Sequence, residues 1–298
     1  MNDIIKVAVP AGIGDVSWIW SKLINIPGRF QIYTPDTYPQ RTFQWLHLLG
    51  DRVIPAIGKH GYNEILTQEA RLGYENYDSW ERIKGLYSEG EVIYLQPNQW
   101  FLSGKSLSSW LPDIKTNFHY PLHIPAKDLV SGLGMLRGKK SLGIHMASIK
   151  GARNWNCWLP EDWVNFINII HREYPDLQMV LLGGIWDLDM AMEVLGGLDS
   201  KIPVLDLIGK TNIGQAITIL NNLTYYIGYS SGLNVMMNVL DKSCTALWPK
   251  HQREHMYCHA DPKQVEERRY LGFVYDDPER IFTRIRSIIQ GAIDGKIR

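Results

Sequence analysis

The chain has 298 residues, of which 45% are hydrophobic and 21% charged, and this composition excludes an intrinsically disordered protein. Its 31 basic residues balance 31 acidic ones and form no basic stripe, so a nucleic-acid partner is not expected. The three cysteines, Cys157, Cys244 and Cys258, are scattered, which favours a reducing compartment over a disulfide framework.

The N-terminal residues 1–15 have too few apolar positions before the first glycines to form a signal peptide, and they predict a buried strand instead. No segment approaches the ~18 consecutive apolar residues that a membrane span requires. We therefore expect a cytoplasmic protein without a membrane span.

A chain of this length is expected to form two domains. In the first domain, an apolar run at residues 4–9 predicts a strand, and a glycine turn and a helix at 16–24 follow it. Further strands are expected at 30–34, 52–57 and 91–96, and a further helix at 42–49. Residues 98–122 show no clear periodicity, and the first domain is predicted to cover residues 1–125.

The alternation of strands and helices restarts in the second predicted domain, residues 126–276. Apolar runs predict strands at 141–145, 178–182, 204–207, 225–228 and 244–248. Helical spacing predicts helices at 160–174, 187–195, 213–221, 232–240 and 277–293, the last within a separate C-terminal segment, 277–298, that could cross back to domain one. Short connections of this kind are typical of a parallel sheet covered on both faces.

Ligands of open parallel sheets bind at the carboxyl ends of the strands, so the turns there are the candidate sites. In the first turn, Gly12 and Gly14 let the backbone approach a ligand, and Asp15 is a candidate general base. The alternative interpretation is that Asp15 caps the helix. Because Ser17 stands where a dinucleotide fingerprint needs a third glycine, the pattern does not favour a nicotinamide cofactor.

The second turn, residues 145–153, is small, polar and basic. Sugar transfer from a nucleotide requires the departing diphosphate to be neutralised, by a metal ion or by cationic side chains and helix N-terminal amides. Ser148, Lys150 and Arg153 fit the option without a metal ion. The alternative is a solvated charged loop.

The third turn, residues 228–232, places Ser230 and Ser231 before Gly232 at a helix start, where amides can receive a phosphate. A plain helix cap is the alternative. In the fourth turn, residues 183–189, the acids of an Asp-Leu-Asp triplet could suggest a metal site, but a favourable helix start explains them better.

Three histidines, His251, His255 and His259, recur every four residues. They would form one metal-binding face only on a continuous helix. The segment follows a predicted strand and ends in a proline, so we expect a loop or short helix there and no metal ion.

Five segments with recognisable patterns follow one another in a fixed order. They are Gly14-Asp15-Val16, residues 142–148 with 158–163 (WLPEDW), 180–184 (VLLGG), 206–211 (DLIGKT), and 227–232 with 246–249 (ALWP). This series resembles glycosyltransferase family 9, the ADP-heptose:lipopolysaccharide heptosyltransferases.

The resemblance implies the GT-B fold, an α/β architecture of two Rossmann-like domains whose parallel sheets face a central cleft. It implies a glycosyltransferase of lipopolysaccharide or polysaccharide synthesis that moves a sugar from a nucleotide-sugar donor to a saccharide or glycolipid hydroxyl, with inversion and without a cofactor or metal ion. A glycolipid acceptor is compatible with peripheral membrane contact. Asp15 would be the catalytic base. The donor would be bound by Gly12, Gly14, Ser148, Lys150, Arg153, Gly184, Lys210, Thr211, Ser230, Ser231, Gly232 and Leu233.

Three positions depart from the family pattern. The basic residue just before the family's Trp-Pro falls at Asn156 or Cys157, so Lys150 or Arg153 would have to substitute for it. Ser230 stands where the family has an acid, and Val235 where it has a histidine. Residues 98–123, where an acceptor is expected, match no family segment. Two alternatives therefore stay open: a nucleotide-sugar epimerase of the same fold, and a catalytically silent protein that binds sugars or nucleotides.

Overall fold

The computed structural model describes residues 4–10, 12–35, 41–57, 80, 92–97, 101 and 104–297. The chain divides into two compact units, Met1–Ile124 and Pro125–Arg298. Each unit is built on its own parallel sheet with helices packed against it, so the predicted α/β class with two Rossmann-like domains is confirmed. In the part of the chain that is described, no helix has the length and apolarity to span a membrane.

The first unit contains strands β1 (Ile4–Ala8), β2 (Arg29–Thr34), β3 (Val53–Ile57) and β4 (Ile93–Tyr94), and helices α1 (Ile13–Leu23) and α2 (Arg41–His47). Within the described residues its sheet has the order β3-β2-β1-β4, and every pairing is parallel. Helix α1 begins three residues before its predicted start, because Gly12 takes the N-cap position. Described residues 104–124 hold only a short 3-10 helix, Leu107–Ser109, which agrees with the predicted irregular segment.

Helix α1 is tied to this irregular segment by a buried lysine. The ammonium of Lys22 donates to the backbone carbonyls of Ser108, Leu111 and Ile114, at 3.3, 3.3 and 2.9 Å. Desolvation outweighs the nearby charge of Asp113 and lowers the pKa of Lys22 to about 8. A loop without regular hydrogen bonds is thereby attached to the helix that follows the first turn.

The second unit contains strands β5 (Ser141–His145), β6 (Gln178–Leu182), β7 (Val204–Asp206), β8 (Tyr225–Tyr229), β9 (Cys244–Trp248) and β10 (Tyr270–Val274). Its helices are α3 (Ala126–Leu136), α4 (Ile149–Trp155), α5 (Pro160–Glu173), α6 (Leu188–Gly197), α7 (Ile213–Asn222), α8 (Gly232–Val239), α9 (Pro262–Glu266) and α10 (Pro278–Ile293). The sheet order is β10-β9-β8-β5-β6-β7, again all parallel.

Helix α3 and strand β10 are absent from the sequence-based predictions. Two glycines inside α3 lower its helix propensity. One of them is required by packing, because a Cβ atom at Gly132 would lie 2.8 Å from Cβ of Thr218 on helix α7. The close approach of two helices thus explains a sequence that does not read as helical.

Helix α10 packs on the core of the second unit. Ile281, Ile285 and Ile289 are fully buried there at i, i+4 and i+8, and each contributes roughly 1.5–3 kcal/mol by burial. Asp277 caps the helix by accepting the N–H of Glu279 at 2.9 Å. The suggested crossing of this segment to domain one stays a prediction.

Candidate functional site

Three strand ends of the second unit lie side by side at the carboxyl edge of its sheet. His145 at the end of β5 pairs in register with Leu182 of β6 and with Gly228 of β8. The three turns that follow these strands therefore meet at one edge, as the sequence analysis expects for a parallel sheet.

The side chain of His145 joins two of these turns. Its Nδ1 lies 3.1 Å from Oγ of Ser231, and its Nε2 lies 3.6 Å from Oδ2 of Asp187. The same Asp187 oxygen accepts the N–H of Gly184 at 2.9 Å. Both His145 and Asp187 are buried, so this arrangement holds the turns after β5, β6 and β8 in fixed positions.

Ser231 is the N-cap of helix α8. Its Oγ accepts the N–H of Leu233 at 3.3 Å, and its own N–H donates to Oδ1 of Asn234, also at 3.3 Å. The first amides of a helix have no partner within the helix, and the helix dipole favours an anion at this end. With Gly232 as the first helical residue, this corner can accept a phosphate group close to the backbone.

The predicted polar turn at residues 145–153 is largely helical, which corrects the sequence-based interpretation. Ser148 caps helix α4, and its Oγ accepts the N–H of Gly151 at 3.2 Å. Lys150 and Arg153 lie on the helix itself and not in a loop. They line a cavity of about 460 Å³ between α4 and α6, whose residues are Ile149, Lys150, Arg153, Asn154, Asp189, Met192 and Glu193.

The turns after β6 and β7 contain the next donor-site candidates. The ring of Trp186 lies against Gly184, because a Cβ atom at Gly184 would be 2.1 Å from Cζ2 of the indole. Lys210 forms an ion pair with Asp206, four residues before it. Thr211, the next residue, is half-buried. The cation of Lys210 is therefore already paired with a carboxylate, which a phosphate would have to displace.

In the first unit, the turn after β1 positions Asp15. Gly12 takes the N-cap position of α1, so Asp15 is not the N-cap residue but the acid of the first turn. Asp15 lies in the first helical turn, two residues after Ile13. A Cβ atom at Gly12 would lie 2.0 Å from Oδ2 of Asp15, so the carboxylate rests directly against this glycine. Gly14 is buried within the helix.

The histidines considered as metal ligands do not lie on one helical face. His251 and His255 belong to a 3-10 helix, Lys250–His255, whereas His259 is buried beyond it with Nε2 3.2 Å from the hydroxyl of Tyr270. Burial lowers the pKa of His259 to about 4. Among the residues that the structure describes, no three His, Cys, Asp or Glu side chains are grouped so that they could hold a metal ion.

No protein-family model matches the chain, and no curated protein matches it by sequence. Solved structures do match. ADP-heptose lps heptosyltransferase II of E. coli superposes with a TM-score of 0.65 at 12% identity, over 96% of this chain and 99% of that chain. A glycosyl transferase of family 9 from Veillonella parvula DSM 2008 superposes with a TM-score of 0.63 at 13% identity, over 95% and 91%. The fold is that of the family 9 glycosyltransferases.

Two of the departures from the family 9 sequence pattern lie at the start of helix α8. Ser230, in the position of the family's acid, has a buried hydroxyl without a hydrogen-bond partner among the described residues. Val235, in the position of the family's histidine, is buried in the apolar packing. Neither of these two positions therefore supplies the carboxylate or the imidazole of the family pattern.

His145 and Asp187 are the site residues that the sequence analysis missed. One overlooked signal is that residues 228–232, Gly-Tyr-Ser-Ser-Gly, have the Gly-x-Ser-x-Gly spacing of a hydrolase nucleophile turn. The serine that contacts His145 is Ser231, however, and not the central Ser230 of that spacing. The arrangement thus differs from that of a hydrolase, and it positions a helix N-terminus instead.

Proposed function

We propose that the chain transfers a glycosyl group from a nucleotide-sugar donor to an acceptor hydroxyl, with inversion and without a metal ion. The observation that carries the proposal is the carboxylate of Asp15, fixed against Gly12 at the carboxyl end of β1. A carboxylate held there can accept the proton of the acceptor hydroxyl while the hydroxyl oxygen attacks the anomeric carbon. The bond from that carbon to the diphosphate then breaks on the opposite face.

The second unit would bind the nucleotide diphosphate. The N-terminus of α8, held by Ser231 and His145, supplies a site for an anion, and Lys150 and Arg153 supply positive charge on α4. Ser148, Gly184, Lys210, Thr211, Ser230 and Leu233 remain proposed donor-site residues. The likeness to a heptosyltransferase supports a donor that carries a heptose or hexose, with a saccharide or glycolipid as the acceptor.

The test is a panel of ADP-, GDP-, UDP- and CDP-sugars with oligosaccharide and glycolipid acceptors. We expect nucleoside diphosphate release that depends on an acceptor, is insensitive to EDTA, and gives a product of inverted anomeric configuration by NMR. Asp15→Asn should abolish turnover while the nucleotide affinity, measured by calorimetry, stays within about twofold.

The same panel tests the rival functions. An isomerised donor in the absence of acceptor would assign the chain as an epimerase. Nucleotide binding without turnover by any pair would assign a catalytically silent binding protein. Full activity of the Asp15→Asn variant would remove Asp15 from the mechanism.

A further inference from the structure

Helix α3 presents an apolar surface to solvent. Val130 is 73% exposed, Leu133 48% and Leu129 39%, and these three residues lie on adjacent turns of one 11-residue helix. A single exposed apolar side chain is ordinary, whereas neighbouring ones on one helix make it a candidate interaction surface. We call Leu129, Val130 and Leu133 the α3 ridge.

The opposite side of the same helix is fully engaged with helix α7. Gly132 packs against Thr218, and Oδ1 of the buried Asp128 accepts the amide of Asn212 at 2.9 Å. Ser131 Oγ accepts from the amide of Gln215 at 2.9 Å. Helix α3 is therefore held rigidly in the second unit, and the α3 ridge is a fixed surface and not a frayed end.

Positive charges lie at both ends of the ridge. Lys127 is exposed in the first turn of α3, and Arg137 and Lys139 are exposed directly after its last residue. Arg137 has a left-handed backbone as the C-cap, which fixes the chain where these cations lie. The acid of the helix, Asp128, is buried and accepts from Asn212, so three exposed cations flank the ridge against one buried carboxylate. The whole chain has a formal net charge of zero, which makes this a local basic surface.

We propose that the α3 ridge binds the surface of a bilayer that contains anionic lipids. Exposed aliphatic side chains flanked by cations match a membrane interface, where apolar groups enter the acyl boundary and cations contact the phosphates. The positive charge favours this occupant over an uncharged apolar partner surface. The inference is independent of the proposed transferase activity, since vesicle binding needs neither donor nor acceptor.

The test measures co-sedimentation of the full chain with vesicles of phosphatidylcholine alone and with vesicles of equal parts phosphatidylcholine and phosphatidylglycerol. We expect binding to the anionic vesicles that weakens as salt increases. Neutralising Lys127, Arg137 and Lys139 to Gln should weaken it on the order of a hundredfold, at about fivefold per cation. Val130→Glu with Leu133→Glu should weaken it on a similar scale, since apolar burial is lost and repulsion added.

A matched control is Ser287→Glu, which introduces the same acid at another exposed helical position, on α10. It should bind vesicles like the unmodified chain, and the thermal midpoints of all variants should agree because the changed side chains are exposed. Absence of binding to anionic vesicles, or equal binding by V130E/L133E, would overturn the proposal. A concentration-dependent dimer in sedimentation velocity that V130E/L133E abolishes would assign the ridge to a second copy and overturn it as well.

Discussion

His145 and Ser231 lie 86 residues apart in the chain, yet Nδ1 of the imidazole is 3.1 Å from Oγ of the serine. This contact ties the end of β5 to the N-terminus of α8, the corner that we propose as the site of the donor diphosphate. Because the other ring nitrogen faces Asp187, the imidazole orients Ser231 from a fixed position.

Two substitutions at His145 separate its two contacts. An Asn amide overlaps the position of Nδ1 and can keep the contact to Ser231, whereas a Gln amide overlaps that of Nε2 and keeps the contact to Asp187. If Ser231 must be held for donor binding, His145→Gln should weaken nucleotide affinity by about tenfold, the value of one hydrogen bond, and His145→Asn should not. Calorimetric titration with nucleoside diphosphates measures this, and equal affinities for the two variants would contradict the role.

Gly12 is expected to be essential for the position of Asp15. In Gly12→Ala the new methyl would lie 2.0 Å from Oδ2 of Asp15, so the carboxylate must move. We expect transferase turnover to fall by about a hundredfold or more, as for a misplaced base, with nucleotide affinity unchanged.

The matched control is Gly196→Ala on α6, where a Cβ atom meets nothing within 4 Å. It should leave activity unchanged and raise stability by up to about 1 kcal/mol, since alanine has a higher helix propensity than glycine. Turnover of Gly12→Ala at the unmodified rate would show that the carboxylate has room to adapt.

Much of the fold was predictable because its strands are short apolar runs ended by glycine, proline or small polar residues. The predicted limits of β5, β6 and β9 agree with the structure at both ends, and β8 is one residue longer than predicted. Helix α3 was not predictable, because Gly132 serves contact with Thr218 and weakens the helical pattern.

The composition of the site was less predictable than its location. The turns after β5, β6 and β8 could be identified as candidate ligand sites from the predicted ends of the strands alone. The contact of His145 with Asp187 and Ser231 depends on β5 lying between β6 and β8, and this order is not readable from local patterns. Likewise, residues 145–153 read as a polar turn because α4 has only seven residues and little apolar periodicity.

Because of Lys22, we expect the stability of the folded chain to rise at alkaline pH. Its pKa in the folded chain is about 8, below the ordinary value of 10.5, so the unfolded chain binds more protons between these two values. Its contribution to the free energy of unfolding is therefore present above pH 10.5 and is lost as the pH falls through 8. Stability should rise between pH 8 and 10.5 relative to that of Lys22→Met, by at most about 1.4 kcal/mol per pH unit.

Lys22→Met should also be less stable at pH 7 by about 1–3 kcal/mol, because three carbonyls, in two buried hydrogen bonds and one part-buried, lose their donor. Urea unfolding at several pH values measures both effects. The exposed Lys115→Met serves as the control, and a pH dependence of Lys22→Met that parallels the unmodified chain would refute the assignment.

Because of His259, we expect the folded chain to lose stability at acidic pH. The ring is buried, with Nε2 3.2 Å from the hydroxyl of Tyr270, and desolvation lowers its pKa from 6.5 to about 4. Between pH 6.5 and 4 the unfolded chain binds a proton at this histidine and the folded chain does not. The contribution of His259 to the free energy of unfolding is therefore present above pH 6.5 and is lost as the pH falls through 4. The slope should approach about 1.4 kcal/mol per pH unit between these values. His259→Phe cannot titrate, so its free energy of unfolding in urea should depend less steeply on pH between 7 and 4.5. The exposed His251→Gln should follow the unmodified chain. Equal slopes of the unfolding free energy against pH for all three proteins would mean that His259 is protonated in the folded protein.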